Sequence, residues 1–147
     1  MDLTGINLRG AYLENTDLSG ARLNESLLMD IGGDHNAGLN LSNAYLRDAD
    51  LTHARLRYAD LTDAHMWRAD LTDADLYSAD LTDADLRWTD LTGANLYYAD
   101  LANVNLYGAD LKFADFSGAI VTGATWTQSY WHQTEWTDGI KYDSNQA

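Results

Sequence analysis

Carboxylates and imidazoles are the side chains of this sequence that could carry out acid–base or metal chemistry. Two Asp residues enclose a Leu-Thr step in segments 60–63, 70–73 and 80–83, at intervals of ten residues. Paired carboxylates can act as a general acid and base, or they can hold a divalent cation. The imidazoles are those of His35, His53, His65 and His132.

Neither set of residues has the pattern of a catalytic or metal site. The carboxylate pairs recur at a fixed interval, so they follow the architecture of the chain. No His lies at a metal-ligand spacing from another, and the sequence has no nucleophile elbow or Gly-rich phosphate loop. Oxygens repeated along a flat face diverge, whereas Mg²⁺ and Ca²⁺ need oxygens that converge. We therefore predict a protein that is not an enzyme and has no cofactor and no metal.

Composition limits the kind of protein further. A chain of 147 residues without Cys or Pro is typical of one domain and excludes disulfides and thiolate metal sites. A net charge of −14 disfavours direct nucleic-acid and membrane binding, and it favours either a basic partner or solubility alone. No apolar run approaches the roughly 18 residues of a membrane span. The N-terminus does not resemble a signal peptide, so we expect a cytoplasmic protein, or a periplasmic or lumenal one if a targeting segment was removed.

The elements that must position these residues follow a period of five. Each unit has a small residue, a polar residue, a central Leu and two variable residues, as in segments 49–53 and 59–63. Central residues recur every five positions from Leu41 to Leu111, and an earlier block runs from Leu3 to Leu28. The last three central residues are Trp126, Trp131 and Trp136.

A period of five fits neither a helix nor a single strand, because those repeat at about 3.6 and 2 residues. Small and Leu residues two positions apart face the same way in extended backbone. A strict return after five residues then requires a turn in every unit. The simplest closed arrangement is a square coil with one unit per face, in which Ala and Leu fill a narrow interior and backbone groups pair between coils.

The A(D/N)LXX pattern resembles the pentapeptide-repeat family. Twenty consecutive units in phase, over residues 39–138, carry this resemblance. It implies an all-β fold, a right-handed quadrilateral parallel β-helix. With the earlier block, the units make six to seven coils, and at about 4.8 Å per coil the rod is on the order of 30 Å long.

The repeat is interrupted once, so we predict one β-helical domain over 1–138 with a bulge or loop at about 29–38, followed by a C-terminal tail or cap over 139–147. Leu28 and Leu41 lie thirteen residues apart, which is not a multiple of five. Asp-Leu-Thr units recur every ten residues, and Leu18 and Leu41 share that character. This pattern predicts that Leu18 and Leu41 lie on the same face, with one unit and three additional residues between Leu28 and Leu41.

Residues twenty positions apart should stack in columns on the four faces. Two opposite faces become acidic. Their columns are Asn40, Asp60, Asp80 and Asp100 on one face, and Asp50, Asp70, Asp90 and Asp110 on the other. The two remaining faces become aromatic and basic. Their columns are Arg47, Trp67, Arg87 and Tyr107, with Arg68 and Trp88 alongside, and Arg57, Tyr77 and Tyr97, with Tyr58 and Tyr98 alongside.

The acidic columns require a way to relieve repulsion, whereas the aromatic columns and the terminal Trp cluster each have two interpretations. Neighbouring Asp side chains one coil apart repel by roughly 0.9 kcal/mol in bulk water, so they need hydrogen bonds from turn amides or Thr hydroxyls, protonation, or loosely held cations. The aromatic columns are either stabilising ladders or a surface for a partner protein. The three Trp either close the C-terminal end or form the interface of an end-to-end homodimer.

These observations favour a solenoid scaffold or protein-interaction module whose partner is unknown. The family resemblance implies one alternative, since some members imitate duplex DNA and inhibit type II topoisomerases.

Overall fold

The computed structural model describes residues 1–5, 12–23, 39–137 and 141–142, and in these residues the chain winds as a solenoid. Parallel bridges join residues twenty positions apart, as from Asp60 to Asp80 and from Asp80 to Asp100. Four five-residue units therefore form each coil, as the period predicts. The column that starts at Asp2 and ends at Tyr130 has seven levels, in agreement with six to seven coils.

Backbone hydrogen bonds between coils run in both directions along the rod. The Leu61 N–H donates to the carbonyl of Asp80 in the next coil at 2.7 Å. The Asp63 N–H donates to the carbonyl of Thr82, which also lies in the next coil, at 2.9 Å. The Asp60 N–H donates to the preceding coil at 2.9 Å. Each unit is thus tied to the coils on both sides of it.

Two further N–H groups form local bonds, one within the unit and one from the first residue of the next unit. The Ala64 N–H donates to the Leu61 carbonyl at 3.0 Å and closes a turn, in which Asp63 has a φ of 56°. The Thr62 N–H donates to Oδ1 of Asp60 at 3.1 Å, and Asn95 accepts the equivalent bond at 3.1 Å. Because buried or turn N–H groups must find acceptors, this bond explains why Asp or Asn precedes the central residue.

The interior is filled by the small and central residues. The central side chains from Leu41 to Leu111 are at most 1% exposed, and Phe116 is fully buried. Two inward Thr hydroxyls are satisfied: Thr89 donates to a main-chain carbonyl at 2.9 Å and Thr134 does so at 2.6 Å. Burial of each Leu stabilises the fold by about 1.5–3 kcal/mol, so the core supplies the main driving force for coiling.

Two short strands end the described chain. Strand β1 spans Thr134–Glu135, and strand β2, which spans Lys141–Tyr142, pairs with it in antiparallel register. Glu135 also forms a parallel bridge to Asp115 in the preceding coil, so β2 lies on the outer edge of the last coil. A paired edge is protected against association with other strands. The rest of the predicted tail, 139–140 and 143–147, lies outside the described residues.

The predicted register across the interruption is wrong. Asp17 bridges Tyr45, a separation of 28 residues, so Leu18 lies beneath Leu46 and not beneath Leu41. The interruption therefore adds eight residues to one coil, rather than one unit and three residues. An Asp before the central residue does not identify a face, because Asp17 accepts its own turn N–H, from Ser19, wherever the unit lies. The predicted bulge at 29–38 lies outside the described residues.

Candidate functional site

The acidic columns support the backbone with one oxygen of each carboxylate. In all seven Asp residues of the two columns, Oδ1 accepts the N–H of the residue two positions later, at 2.9–3.2 Å. The Thr52 hydroxyl adds a bond of 2.8 Å to Asp50, and the Lys112 ammonium adds one of 2.7 Å to Asp110. Turn amides thus reduce the repulsion that the sequence predicts, so the Asp pattern follows from the architecture.

The first aromatic face carries cations on or beside its rings. The Arg47 guanidinium carbon lies 4.2 Å from the centre of the Trp67 ring. Arg87 makes two hydrogen bonds to Asp85, of 2.7 and 2.5 Å. Burial raises the pKa of Asp85, but the hydrogen bonds from Arg87 outweigh it and hold that pKa below its ordinary value. Basic and aromatic side chains on this face are therefore already partly paired with each other and with acids.

The second aromatic face forms a ladder of rings. Tyr77 and Tyr97 are stacked with their centres 5.8 Å apart, and Tyr97 contacts Tyr98 edge-on at 4.3 Å. The hydrogen bond to Tyr98 raises the pKa of the Tyr97 hydroxyl. The Arg57 guanidinium carbon lies 4.3 Å from the centre of the Tyr77 ring. Mutual packing of this kind stabilises stacked coils.

Four large aromatic residues occupy left-handed turn positions at the corners of the square: Tyr58, Trp88, Tyr98 and Phe113. Gly, Asn and Asp fill many of these positions, yet Trp88 and Tyr98 have φ values of 59° and 60°. Each ring lies over a glycine of the next coil, since a Cβ on Gly108 or Gly118 would approach the ring within 2.5 Å. Trp88 is nevertheless 47% exposed and Tyr98 is 56% exposed. The coil thus holds both rings in place while leaving them accessible.

A surface hollow of about 410 Å³ lies where the first aromatic face meets an acidic face. We call it the indole corner, and its lining residues are Trp67, Arg68, Ala69, Asp70, Trp88 and Asp90. A second hollow, of about 360 Å³, adjoins the other side of Trp88 and includes Arg87 and Tyr107. Sequence columns treat the faces as flat, so they missed that Trp88 adjoins Asp70 and Asp90. The signal was a Trp at a turn position that suits Gly or Asn.

The three C-terminal Trp residues come together at the end of the rod. The ring centres of Trp126, Trp131 and Trp136 lie 4.7–6.2 Å apart, and Trp136 stacks on Phe116 at 5.1 Å. All three indoles are half-buried. This arrangement covers the core from above, as an end cap requires, and the homodimer interface remains a prediction.

The imidazoles are dispersed. His65 stacks on Tyr45 with ring centres 4.7 Å apart, and His53 Nδ1 lies 3.8 Å from Asp73 Oδ2 on another face. Among the residues that the structure describes, no group of three His, Cys, Asp or Glu residues could hold a metal ion. The same residues contain no helix with the length and apolarity of a bilayer span.

Square coils, a filled interior and outward-facing polar columns define a β-solenoid repeat protein. The family model described as pentapeptide repeats matches the chain in eight copies, over residues 1–28, 37–68, 54–93 and 84–123. The chain belongs to the pentapeptide-repeat family, and its fold is the right-handed quadrilateral β-helix that the resemblance implies.

Two solved structures illustrate the similarity. Rfr23, a pentapeptide-repeat protein from the cyanobacterium Cyanothece 51142, is 28% identical with a TM-score of 0.53, over 92% of this chain and 90% of that one. A trypsin-treated form of QnrB1, a plasmid-mediated fluoroquinolone resistance protein, is 19% identical with a TM-score of 0.50, over 97% and 84% of the two chains. The second likeness concerns the fold alone. A search of curated proteins found no match to the sequence.

Proposed function

We propose that this chain is a non-enzymatic scaffold that binds a partner protein at the corner occupied by Trp88. The observation that carries the proposal is an exposed indole held at a left-handed turn against Gly108. A bulky residue at such a position costs roughly 1–2 kcal/mol relative to a residue that tolerates it. Burial of the inner half of the ring can offset that cost, and the outer half remains exposed beside a second indole, where it is available to a partner.

The chemistry of the corner fits protein recognition. Trp, Tyr and Arg are enriched among the residues that contribute most to protein interfaces, and Trp67, Arg68, Trp88 and Tyr107 lie around this edge of the rod. Rings that are already positioned lose little conformational entropy on binding. Filled coils behind the surface keep its shape constant, as a scaffold requires.

The test is affinity capture from cells of the source organism with matched corner variants. Trp88→Asn places at this corner the same side chain that the chain uses at Asn103, which has the same φ of 59°. Tyr98→Asn makes the equivalent change at another corner. We expect a partner that is retained by the original chain and by Tyr98→Asn, and lost with Trp88→Asn. Equal retention by both variants contradicts the proposal.

A second candidate is imitation of duplex DNA, which the two Asp columns on opposite faces favour. A net charge of −14 over about 30 Å is one charge per roughly 2 Å, near the value of one per about 1.7 Å in B-DNA. Basic side chains interrupt the other two faces, which makes this function the weaker of the two. An assay of supercoiling by a type II topoisomerase tests it directly, and inhibition by the purified chain at micromolar concentration supports it.

A further inference from the structure

The indole corner also indicates the chemistry of the partner, an inference that rests on the scaffold function proposed above. We propose that the indole corner takes the cationic side chain of a Lys or Arg residue from an extended, basic segment of the partner protein. The aliphatic stem would lie against the two indoles, and the charged end would reach the carboxylates of Asp70 and Asp90.

Cationic side chains cover aromatic rings on both aromatic faces, and the ring of Trp88 differs from these. Arg47 covers the ring of Trp67 at 4.2 Å, and Arg57 covers the ring of Tyr77 at 4.3 Å. Within the described residues, no cationic side chain lies over the ring of Trp88. Its six-membered ring rests on Gly108, and Tyr107 contacts it edge-on at 5.3 Å. A cation over the outer surface of Trp88 would repeat an arrangement that the chain already uses twice.

Two carboxylates complete the site. Asp70 and Asp90 form a parallel bridge between neighbouring coils, about 4.8 Å apart. Their Oδ1 atoms accept turn N–H groups at 3.0 and 2.9 Å. Their Oδ2 atoms make no hydrogen bond within the part of the chain that the structure describes, so these atoms are available to a donor. An ammonium has three N–H donors and a guanidinium has five, enough to bond both carboxylates.

The cation that already lines the hollow is engaged elsewhere. Arg68 Nε lies 3.3 Å from Oδ1 of Asp48, and Arg47 Nε lies 3.2 Å from Oδ2 of the same carboxylate. The guanidinium carbon of Arg68 lies 6.0 Å from the centre of the Trp67 ring. Lys112, which bonds Asp110, interacts with Asp90 only electrostatically, so within the described residues neither Asp70 nor Asp90 forms an ion pair.

Other ligands fit this hollow less well. An anionic group would meet two carboxylates, and an apolar side chain would desolvate them without offering a donor, at a free-energy cost. An open hollow of about 410 Å³ accommodates the end of a side chain and leaves a small molecule largely exposed. The net charge of −14 also attracts basic segments over a distance, which raises their association rate.

The experiment titrates the ¹⁵N-labelled chain with a synthetic peptide of three Lys residues flanked by Gly and Ser, at about 0.15 M salt, where the Debye length is about 8 Å. We expect selective shifts of the indole N–H resonances of Trp67 and Trp88. Trp88→Asn should weaken the affinity about threefold to thirtyfold, the range of cation–π contributions. Asp90→Asn should weaken it about twofold to fivefold, as for an exposed ion pair.

The controls repeat each change on another part of the rod. Asp80→Asn removes the same charge from a carboxylate with the same turn bond of 2.9 Å, and Tyr98→Asn removes a ring from a matching corner. Both should leave the affinity unchanged. Equal losses in Asp80→Asn and Asp90→Asn would show diffuse attraction to an acidic rod and overturn the proposal, as would equal binding of a peptide with norleucine in place of Lys. A partner lost with Trp88→Asn but insensitive to Asp90→Asn leaves the scaffold function standing and removes only the cationic specificity.

Discussion

The acidic and aromatic faces share one backbone but use their side chains differently. On an acidic face, Oδ1 of Asp80 or Asp90 completes the hydrogen bonding of its own turn. On the aromatic faces, the rings of Trp67 and Tyr77 contact Arg side chains of neighbouring coils. The position before the central residue therefore reports the fold, whereas the two positions after it are free to carry function.

Two corners with the same backbone make this difference sharper. Asn103 lies beside Gly123 and Trp88 lies beside Gly108, with φ values of 59° for both Asn103 and Trp88. Asn is among the residues that tolerate this conformation, and Trp is not. The coil closes with Asn as well as with Trp, so closing the turn does not by itself require an indole.

The largest expected effect concerns the interior, where the two kinds of face should not differ. Leu81 lies behind an acidic column and Leu86 behind an aromatic one, and both are fully buried. We expect Leu81→Ala and Leu86→Ala to lower the free energy of unfolding by similar amounts, about 2–5 kcal/mol each. Urea denaturation followed by circular dichroism measures this, and a clearly smaller loss for one variant would show that the faces differ inside as well as outside.

The next effect tests the seat of the exposed indole. In Gly108→Ala the new Cβ would lie 2.5 Å from the Trp88 ring, at a residue with a φ of 70°. We expect a loss of about 2–4 kcal/mol, part of it from the left-handed conformation. Gly20→Ala has a similar φ of 64° and no atom within 4 Å, so it should lose only about 1 kcal/mol. If the ring causes the excess loss, Gly108→Ala made in the Trp88→Asn background should lower the free energy of unfolding by no more than Gly20→Ala does.

A smaller effect separates the charge of an acidic column from its hydrogen bond. Asp80→Ala removes the acceptor of the Thr82 N–H and should cost about 1 kcal/mol, as loss of a helix cap does. Asp80→Asn keeps an acceptor oxygen and removes repulsion, so its stability should equal or exceed that of the original chain. A large loss in Asp80→Asn would show that the charge is needed by the fold.

Salt should act through the same columns. Stacked carboxylates repel less when counter-ions screen them, so the urea midpoint of the original chain should rise between low and moderate salt. The rise should be smaller in a variant with Asn at both Asp80 and Asp90. A midpoint that does not change with salt would contradict repulsion within the columns.

The smallest effect is the pH dependence contributed by Asp85 on the first aromatic face. Its pKa is lowered in the folded chain, chiefly because hydrogen bonds from Arg87 outweigh burial. A lowered folded pKa stabilises above the unfolded value of about 3.9, and this stability is lost as the pH falls through the folded pKa. We expect Arg87→Gln to lose about 0.2–1 kcal/mol at neutral pH after solvent screening, and to match the original chain at the lowest pH. A difference independent of pH would point to lost packing.

Much of the fold could be predicted because each turn is formed by residues that are close together in the sequence. The turn from Leu61 to Ala64 and the bond from Thr62 to Asp60 involve residues at most three positions apart. Strict repetition of a local geometry then fixes which residues lie one coil above another, so the columns could be predicted as well. The interruption could not, because local units carry no information about which face they occupy, and Leu18 was placed beneath the wrong residue.

The order of residues thus specifies a coil of five-residue units, its filled interior and its stacked columns, since all of these repeat a short-range pattern. The folded chain specifies the eight-residue excess at the interruption and the indole corner. That corner joins Trp67 and Trp88 to Asp70 and Asp90 across two faces and two coils. Such a meeting depends on the angle between faces and on the direction of each ring, and both are properties of the assembled solenoid rather than of any single unit.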